Sequence, residues 1–182
     1  KTFLRTYPKV NLHVEYTKGS RVYEDCLEGV VDLGIVTYPE RRKGLRIIPL
    51  PADKLVLICA PDHPFAKRHN IDIRKLNGQD YVAFEKRIAS QRALDKIFKA
   101  NRTQVHVVME FDNIETIKRS VEIGAGISIV PLLTVQKEVQ NGALVQVNLA
   151  GKSFYRPLGI IARKNQPLSP AALKFIELMQ NP

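Results

Sequence analysis

Two stretches of this chain repeat one plan, and that repetition limits the fold more than any other feature. Residues 10–16 alternate apolar and polar side chains (Val10, Leu12, Val14, Tyr16), the period of a half-buried strand. Gly19 and Ser20 follow; Ser20 is placed to cap a helix on which Val22, Cys26, Leu27 and Val30 recur at helical spacing. A short buried strand is expected over residues 31–36. The second stretch reads the same way: a strand over 105–111, a helix with Asp112 and Glu115 as a capping box and Ile114, Ile117 and Val121 inward, then a strand over 127–130 ended by Pro131. Glu15-Tyr16 stands in the first unit where Glu110-Phe111 stands in the second. Identity between the units is slight, so the repeat is one of architecture. It predicts two like lobes in one short chain.

The remaining elements fit this scheme. A helix over residues 2–7 is stopped by Pro8. Strands are expected over 45–50 and 55–60, separated by a turn at Pro51-Ala52-Asp53, and over 81–84, 144–149 and 155–162. Ser90 can cap a helix burying Leu94, Ile97 and Phe98. A short helix fits 134–140, ending near Gly142, and Ser169-Pro170 opens a last helix with Ala172, Phe175, Ile176 and Met179 on one face. Strands alternating with helices predict an α/β fold with mainly parallel sheets, whose ligands bind beyond the carboxyl ends of the strands.

The chain carries 28 Lys and Arg against 18 Asp and Glu, a net charge of +10, which favours anionic partners. The cations fall in small groups such as Arg41-Arg42-Lys43, Lys67-Arg68, Lys86-Arg87 and Lys118-Arg119, read as solvated surface. Apolar runs such as 55–60 are too short for a bilayer, and residues 1–5 lack a signal-peptide core. Cys26 and Cys59 read as reduced, buried thiols, in keeping with the cytoplasm. His13, His63, His69 and His106 show no metal-ligand spacing; no nucleophile elbow, Walker loop or carboxylate pair is present. Gly124-Ala125-Gly126 reads as a tight turn allowing close backbone packing. No cofactor and no enzyme activity are expected.

Three segments together carry a resemblance: Leu27-Glu28-Gly29-Val30-Val31-Asp32-Leu33-Gly34-Ile35-Val36, Leu57-Ile58-Cys59-Ala60-Pro61-Asp62-His63-Pro64-Phe65-Ala66, and Val121-Glu122-Ile123-Gly124-Ala125-Gly126-Ile127-Ser128-Ile129-Val130-Pro131. In this order and at these separations they resemble the effector-binding domain of LysR-type transcriptional regulators, from near Phe3 to the last helix. The resemblance implies two Rossmann-like lobes with an inter-lobe cleft, as in type II periplasmic binding proteins. Lobe I would comprise 1–78 with 151–182 and lobe II 79–150, with crossings near 78–84 and 149–155. It implies a small, anionic effector in the cleft, a homodimer or homotetramer, and DNA contact through an N-terminal winged helix-turn-helix that these residues do not include. The first strand of lobe I is expected to lie outside them as well. The helices near Tyr23 and Ile117 are candidates for the subunit contact.

Effector contacts are expected at Gly19 and Ser20 before the second helix, Thr37 and Tyr38 after the strand 32–36, and Phe84 and Glu85 ending the first strand of lobe II. Ser90, Gln91 and Arg92 open the next helix, where free N–H groups and the helix dipole favour an anion. Ser90 alternatively only caps, and Arg92 alternatively is a solvated charge. Asn113 and Ile127 are further candidates. The competing functions are a periplasmic-type solute-binding protein of a transporter, which an upstream signal peptide would favour, and an enzyme on the same fold, which the missing catalytic constellation disfavours.

Overall fold

A computed structural model describes residues 2–17, 19–151 and 154–181. The elements run α1 (Thr2–Thr6), α2 (Gly19–Glu28), β1 (Gly34–Thr37), β2 (Leu45–Cys59), β3 (Asn70–Ile71), β4 (Asp80–Phe84), α3 (Ala89–Ala100), β5 (His106–Phe111), α4 (Ile114–Glu122), β6 (Ser128–Pro131), α5 (Gln136–Gln140), β7 (Val145–Leu149), β8 (Tyr155–Arg163) and α6 (Pro170–Gln180). Short 3₁₀ turns occupy Pro64–Lys67, Ile73–Leu76 and Leu132–Thr134. The polypeptide forms two compact units. Unit 1 comprises Lys1–Ala52 and Pro157–Pro182, and unit 2 comprises Asp53–Arg156.

In unit 1, β1 lies antiparallel to β8, with Ile35 opposite Ile160 and Gly34 opposite Ile161. Successive residues of a strand face opposite sides. Ile161 therefore packs with Tyr23 and Cys26 of α2, while Ile160 packs with Ile176 of α6. The Ser169 hydroxyl accepts the Ala172 N–H at 3.1 Å, fixing the start of α6.

Unit 2 is built on the apolar end of β2. Leu57 faces Ile129 of β6 on one edge and Val147 of β7 on the other, both antiparallel. Leu55, Leu57 and Cys59 enter one core cluster with Leu94 and Phe98 of α3, and Val56 and Ile58 enter another with Ile117 and Val121 of α4. A strand with no polar face is thus covered on both sides. Each fully buried side chain of this kind contributes about 1.5–3 kcal/mol. β4 and β5 pair in parallel, and a bridge between Tyr81 and Ile127 joins β4 to β6. Gly126, at φ 157°, lets this bridge close: a Cβ there would lie 2.6 Å from the Asp80 carbonyl oxygen. Where the chain enters and leaves unit 2, Asp53 and Arg156 form an ion pair, with Nη2 2.5 Å and Nε 3.2 Å from Oδ2.

Several expectations need correction. Residues 10–16 form no ladder; Val14 is 60% and Tyr16 98% exposed, because alternation makes a strand only where a neighbouring edge accepts its hydrogen bonds. Ser20 lies inside α2, whose buried residues are Tyr23, Asp25 and Cys26, while Leu27 and Val30 are exposed. Pro51-Ala52-Asp53 is no turn: β2 runs unbroken from 45 to 59, since extended backbone suits the fixed φ of proline. The ladders β1–β8, β2–β6 and β2–β7 are antiparallel, so the sheets are not mainly parallel. Asn113, not Asp112, caps α4: its Oδ1 accepts the Thr116 N–H at 2.9 Å. Lys118 is not solvated; its side chain is 6% exposed and bonds Glu138 at 2.8 Å, Glu115 at 2.9 Å and the Thr134 carbonyl at 3.0 Å. Residues 53–78 belong to unit 2, where Ile71, Ile73 and Leu76 share its core.

Candidate functional site

The parallel pair β4–β5 sets the geometry in unit 2. Each strand is followed by a helix, α3 and α4, so both helix starts lie at the carboxyl ends of the strands. Phe84 ends β4 and is buried, and the Glu85 N–H donates to the Phe111 carbonyl at 2.9 Å. This bond holds the ends of the two strands side by side.

α3 begins at Ala89, and its cap residue, Ile88, offers no side-chain acceptor. Ser90 is half-buried in the first turn and so does not cap the helix. The first intrahelical bond is made by Arg92 N–H to the Ile88 carbonyl at 3.1 Å. The N–H groups of Ala89, Ser90 and Gln91 precede it and keep their donor capacity, at the positive end of a twelve-residue helix. The Ser90 hydroxyl adds a donor.

Two candidates are committed elsewhere. Gln91 is 4% exposed; its Oε1 accepts the Phe84 N–H at 3.0 Å and its Nε2 donates to Asp95 at 2.8 Å. It positions the strand end against the helix. Arg92 Nη1 donates to the Arg87 carbonyl at 2.6 Å, and Arg87 Nε donates to Glu85 at 2.5 Å. Arg92 therefore stays exposed but tethered beside the helix start, and Glu85 is paired with Arg87. Asn113 lies at the same sheet end, its Oδ1 spent on the Thr116 N–H and hydroxyl. Ile127 is fully buried and bridges to Tyr81 near the opposite end of β4, so it is not brought to this group.

In unit 1, Gly19 and Ser20 are exposed at the start of α2. Thr37 closes β1 opposite Leu158, and Tyr38 turns the chain at φ 49°, its N–H donating to the Pro157 carbonyl at 2.9 Å. The Tyr23 hydroxyl accepts the Glu40 N–H at 2.8 Å, and Arg42 stacks 4.1 Å over the Tyr23 ring. These contacts hold the segment after Tyr38 against the early turns of α2.

Nothing in the sequence marked Ile88 as an empty cap or Gln91 as a buried brace, since burial of a polar residue follows only from what packs over it. His63 also has a role that was missed: its Nδ1 accepts the Phe65 N–H at 3.1 Å and caps the turn Pro64–Lys67. The thiols of Cys26 and Cys59 are both buried, and burial pushes each up to about 11, away from thiolate chemistry. No group of three or more His, Cys, Asp or Glu suited to a metal ion occurs among the described residues. Nor is any helix among them long and apolar enough to cross a membrane.

Comparison with known proteins gives these elements a context. A probable RuBisCO transcriptional regulator of Cyanophora paradoxa is 32% identical over 183 residues, covering 96% of this chain and 56% of the relative. The chain thus spans little more than half of that protein. The regulatory domain of CcmR from Synechocystis PCC6803, solved in complex with 2-PG, superposes with a TM-score of 0.86 at 24% identity, covering 99% of this chain and 86% of the other. The effector-binding domain of QuiR, solved with shikimate, superposes at 0.83 with 20% identity, covering 99% of this chain and 88% of the other. These likenesses show the fold to be the α/β, periplasmic-binding-protein-like fold of LysR regulatory domains. The LysR substrate binding domain family matches residues 1–181, and the chain belongs to that family.

Proposed function

We propose that this chain is the small-molecule sensor of a cytoplasmic, oligomeric transcriptional regulator, that it is not an enzyme, and that its effector is a small anion. In the full-length protein, DNA is contacted through an N-terminal winged helix-turn-helix. The observation that carries the reading is the uncapped start of α3, with free donors at Ala89, Ser90 and Gln91, in a chain matched throughout by the LysR substrate binding domain family. A carboxylate or phosphate group would supply the acceptors that Ile88 does not. Charge-assisted hydrogen bonds of this type are about twice as strong as neutral ones. Phe84 and Gln91 hold the helix start in place, Ser90 donates, and Arg92 adds positive charge beside it. Two relatives of the same fold, CcmR and QuiR, were solved with 2-PG and with shikimate, which fits a small polar effector. Gly19, Ser20, Thr37 and Tyr38 form a second candidate group, in unit 1.

The test is calorimetric titration of the chain with 2-PG, shikimate, benzoate, inorganic phosphate and uncharged analogues. Ser90→Asp puts a carboxylate where the anion would sit. It is expected to weaken anion binding at least about tenfold while the melting temperature stays level or rises, because acidic residues favour a helix start by about 0.3–1 kcal/mol. Binding of uncharged compounds alone, or anion binding indifferent to Ser90→Asp, overturns the proposal.

A further inference from the structure

α3 has a second feature, on the face turned away from the core. Lys96 and Lys99 are exposed there, and Arg102 follows the helix end, also exposed. At 1.5 Å per residue, Lys96 and Lys99 are about 4.5 Å apart along the axis, and Arg92 precedes Lys96 by about 6 Å on the same face. The side chains of Lys96, Lys99 and Arg102 have no hydrogen-bond or ion-pair partner among the described residues. The one exposed acid on this helix, Asp95, accepts a bond from Gln91.

Two further observations bear on what such a face is for. The helix ends in a closed turn in which Thr103 N–H donates to the Phe98 carbonyl at 3.0 Å and Arg102 N–H to the Lys99 carbonyl at 3.2 Å. The residue at the centre of such a turn is left-handed and usually glycine; here it is Arg102, at φ 51°. A non-glycine residue is disfavoured in that conformation. The helix dipole offsets part of this at Lys99 and Arg102, but Lys96 lies too far from the end to benefit fully. The face is also free of apolar anchors: none of the large exposed hydrophobic residues falls between 36 and 106. A protein partner would want such anchors at its centre. A nucleic-acid backbone would not, since contacts to it are polar and strongly cationic.

We propose that Lys96, Lys99 and Arg102 form a docking surface for the phosphate backbone of duplex DNA, binding without sequence preference. Duplex DNA presents one charge per about 1.7 Å of its axis, so a rigid row of three unpaired cations meets several phosphates at once. The proposal is independent of the effector reading, because neither Ser90 nor the helix start takes part. It adds a weak contact from this chain to whatever DNA-binding segment the full-length protein carries.

The test measures anisotropy of a short labelled duplex of arbitrary sequence, titrated with the chain over a series of salt concentrations. The variant K96Q/K99Q/R102N is compared with R5Q/K43Q/K137Q, which removes the same charge from exposed positions elsewhere. Each neutralised phosphate contributes about 0.9 to the slope of log affinity against log salt, so the first variant is expected to lose about 2.7 in slope and at least about tenfold in affinity at low salt. The second variant is expected to change the slope by less than about 1. Lys96→Gln alone, at an exposed mid-helix position, is expected to lower the slope by about 0.9. Equal losses in the two triple variants, no binding at the lowest salt, or tighter binding to polyglutamate than to DNA overturns the proposal.

Discussion

Gln91→Leu tests how the start of α3 is held. The side chain is 4% exposed and makes two bonds, accepting the Phe84 N–H at 3.0 Å and donating to Asp95 at 2.8 Å. Leucine fills a similar volume with neither bond. The Phe84 N–H is then a buried donor without an acceptor, which costs about 1–3 kcal/mol, and loss of the partly exposed Asp95 bond adds about 0.5–1.5 kcal/mol. Leucine's greater apolarity offsets part of this, leaving a net loss of about 2–3 kcal/mol. For a chain of this length that lowers the melting temperature by about 5–10 °C. Urea and thermal unfolding by circular dichroism read both quantities. Gln91→Glu keeps the acceptor for Phe84 but sets a second carboxylate against Asp95, so its deficit should be large at neutral pH and shrink as the pair takes up a proton in acid. A Gln91→Leu variant within about 0.5 kcal/mol of wild type, or a Gln91→Glu deficit independent of pH, would refute the account of this brace.

Two other predictions concern charge. Asp53 and Arg156 have side chains only 11% and 18% exposed, so Asp53→Asn or Arg156→Met strands a nearly buried partner and should cost about 3 kcal/mol in denaturant unfolding. The double exchange Asp53→Arg with Arg156→Asp should regain at least half; single variants costing under about 1 kcal/mol would show the pair to be incidental. His63 accepts a bond through Nδ1 and must be neutral to do so, and burial lowers its pKa from the ordinary 6.5. The unfolded chain therefore binds the proton more readily. Stability is full above pH 6.5 and falls as the pH drops from 6.5 to the lowered folded value. His63→Asn, which keeps a capping acceptor, should flatten that limb, and an unchanged pH profile would exclude the cap as its source.

What the sequence disclosed follows local physics. The apolar run at 55–60 announced a strand, and Leu94 with Phe98, and Ile117 with Val121, announced two helices; that these helices cover the strand on both faces came from the fold. Ser169-Pro170 declared the start of α6 correctly because a hydroxyl cap acts on its own neighbours. The failures share one cause, which is that the deciding partner is remote in sequence. The alternation at 10–16 is as regular as that of any strand, yet the described residues offer it no edge. The direction of β2 against β6 and β7 depends on where residues 128–131 and 145–149 arrive, which no window of β2 reveals. At the candidate site, the sequence located the sheet ends at Phe84 and Glu85 and the helix following them. It could not tell that Gln91 would be spent inward, or that Ile88 would leave the first N–H groups without a cap.

The Asp53–Arg156 pair and the neighbouring bond from Leu55 N–H to the Phe154 carbonyl, 2.8 Å long, bring both ends of unit 2 to one point. A segment whose entry and exit touch behaves as a closed cassette. Cutting it out at 53 and 156 severs β2 and β8 at neighbouring points, so the new termini are adjacent and the flanking pieces of unit 1 can be rejoined by a few residues. The same closeness makes the unit a natural site for circular permutation, with new ends opened at a surface loop such as the one around Gly142.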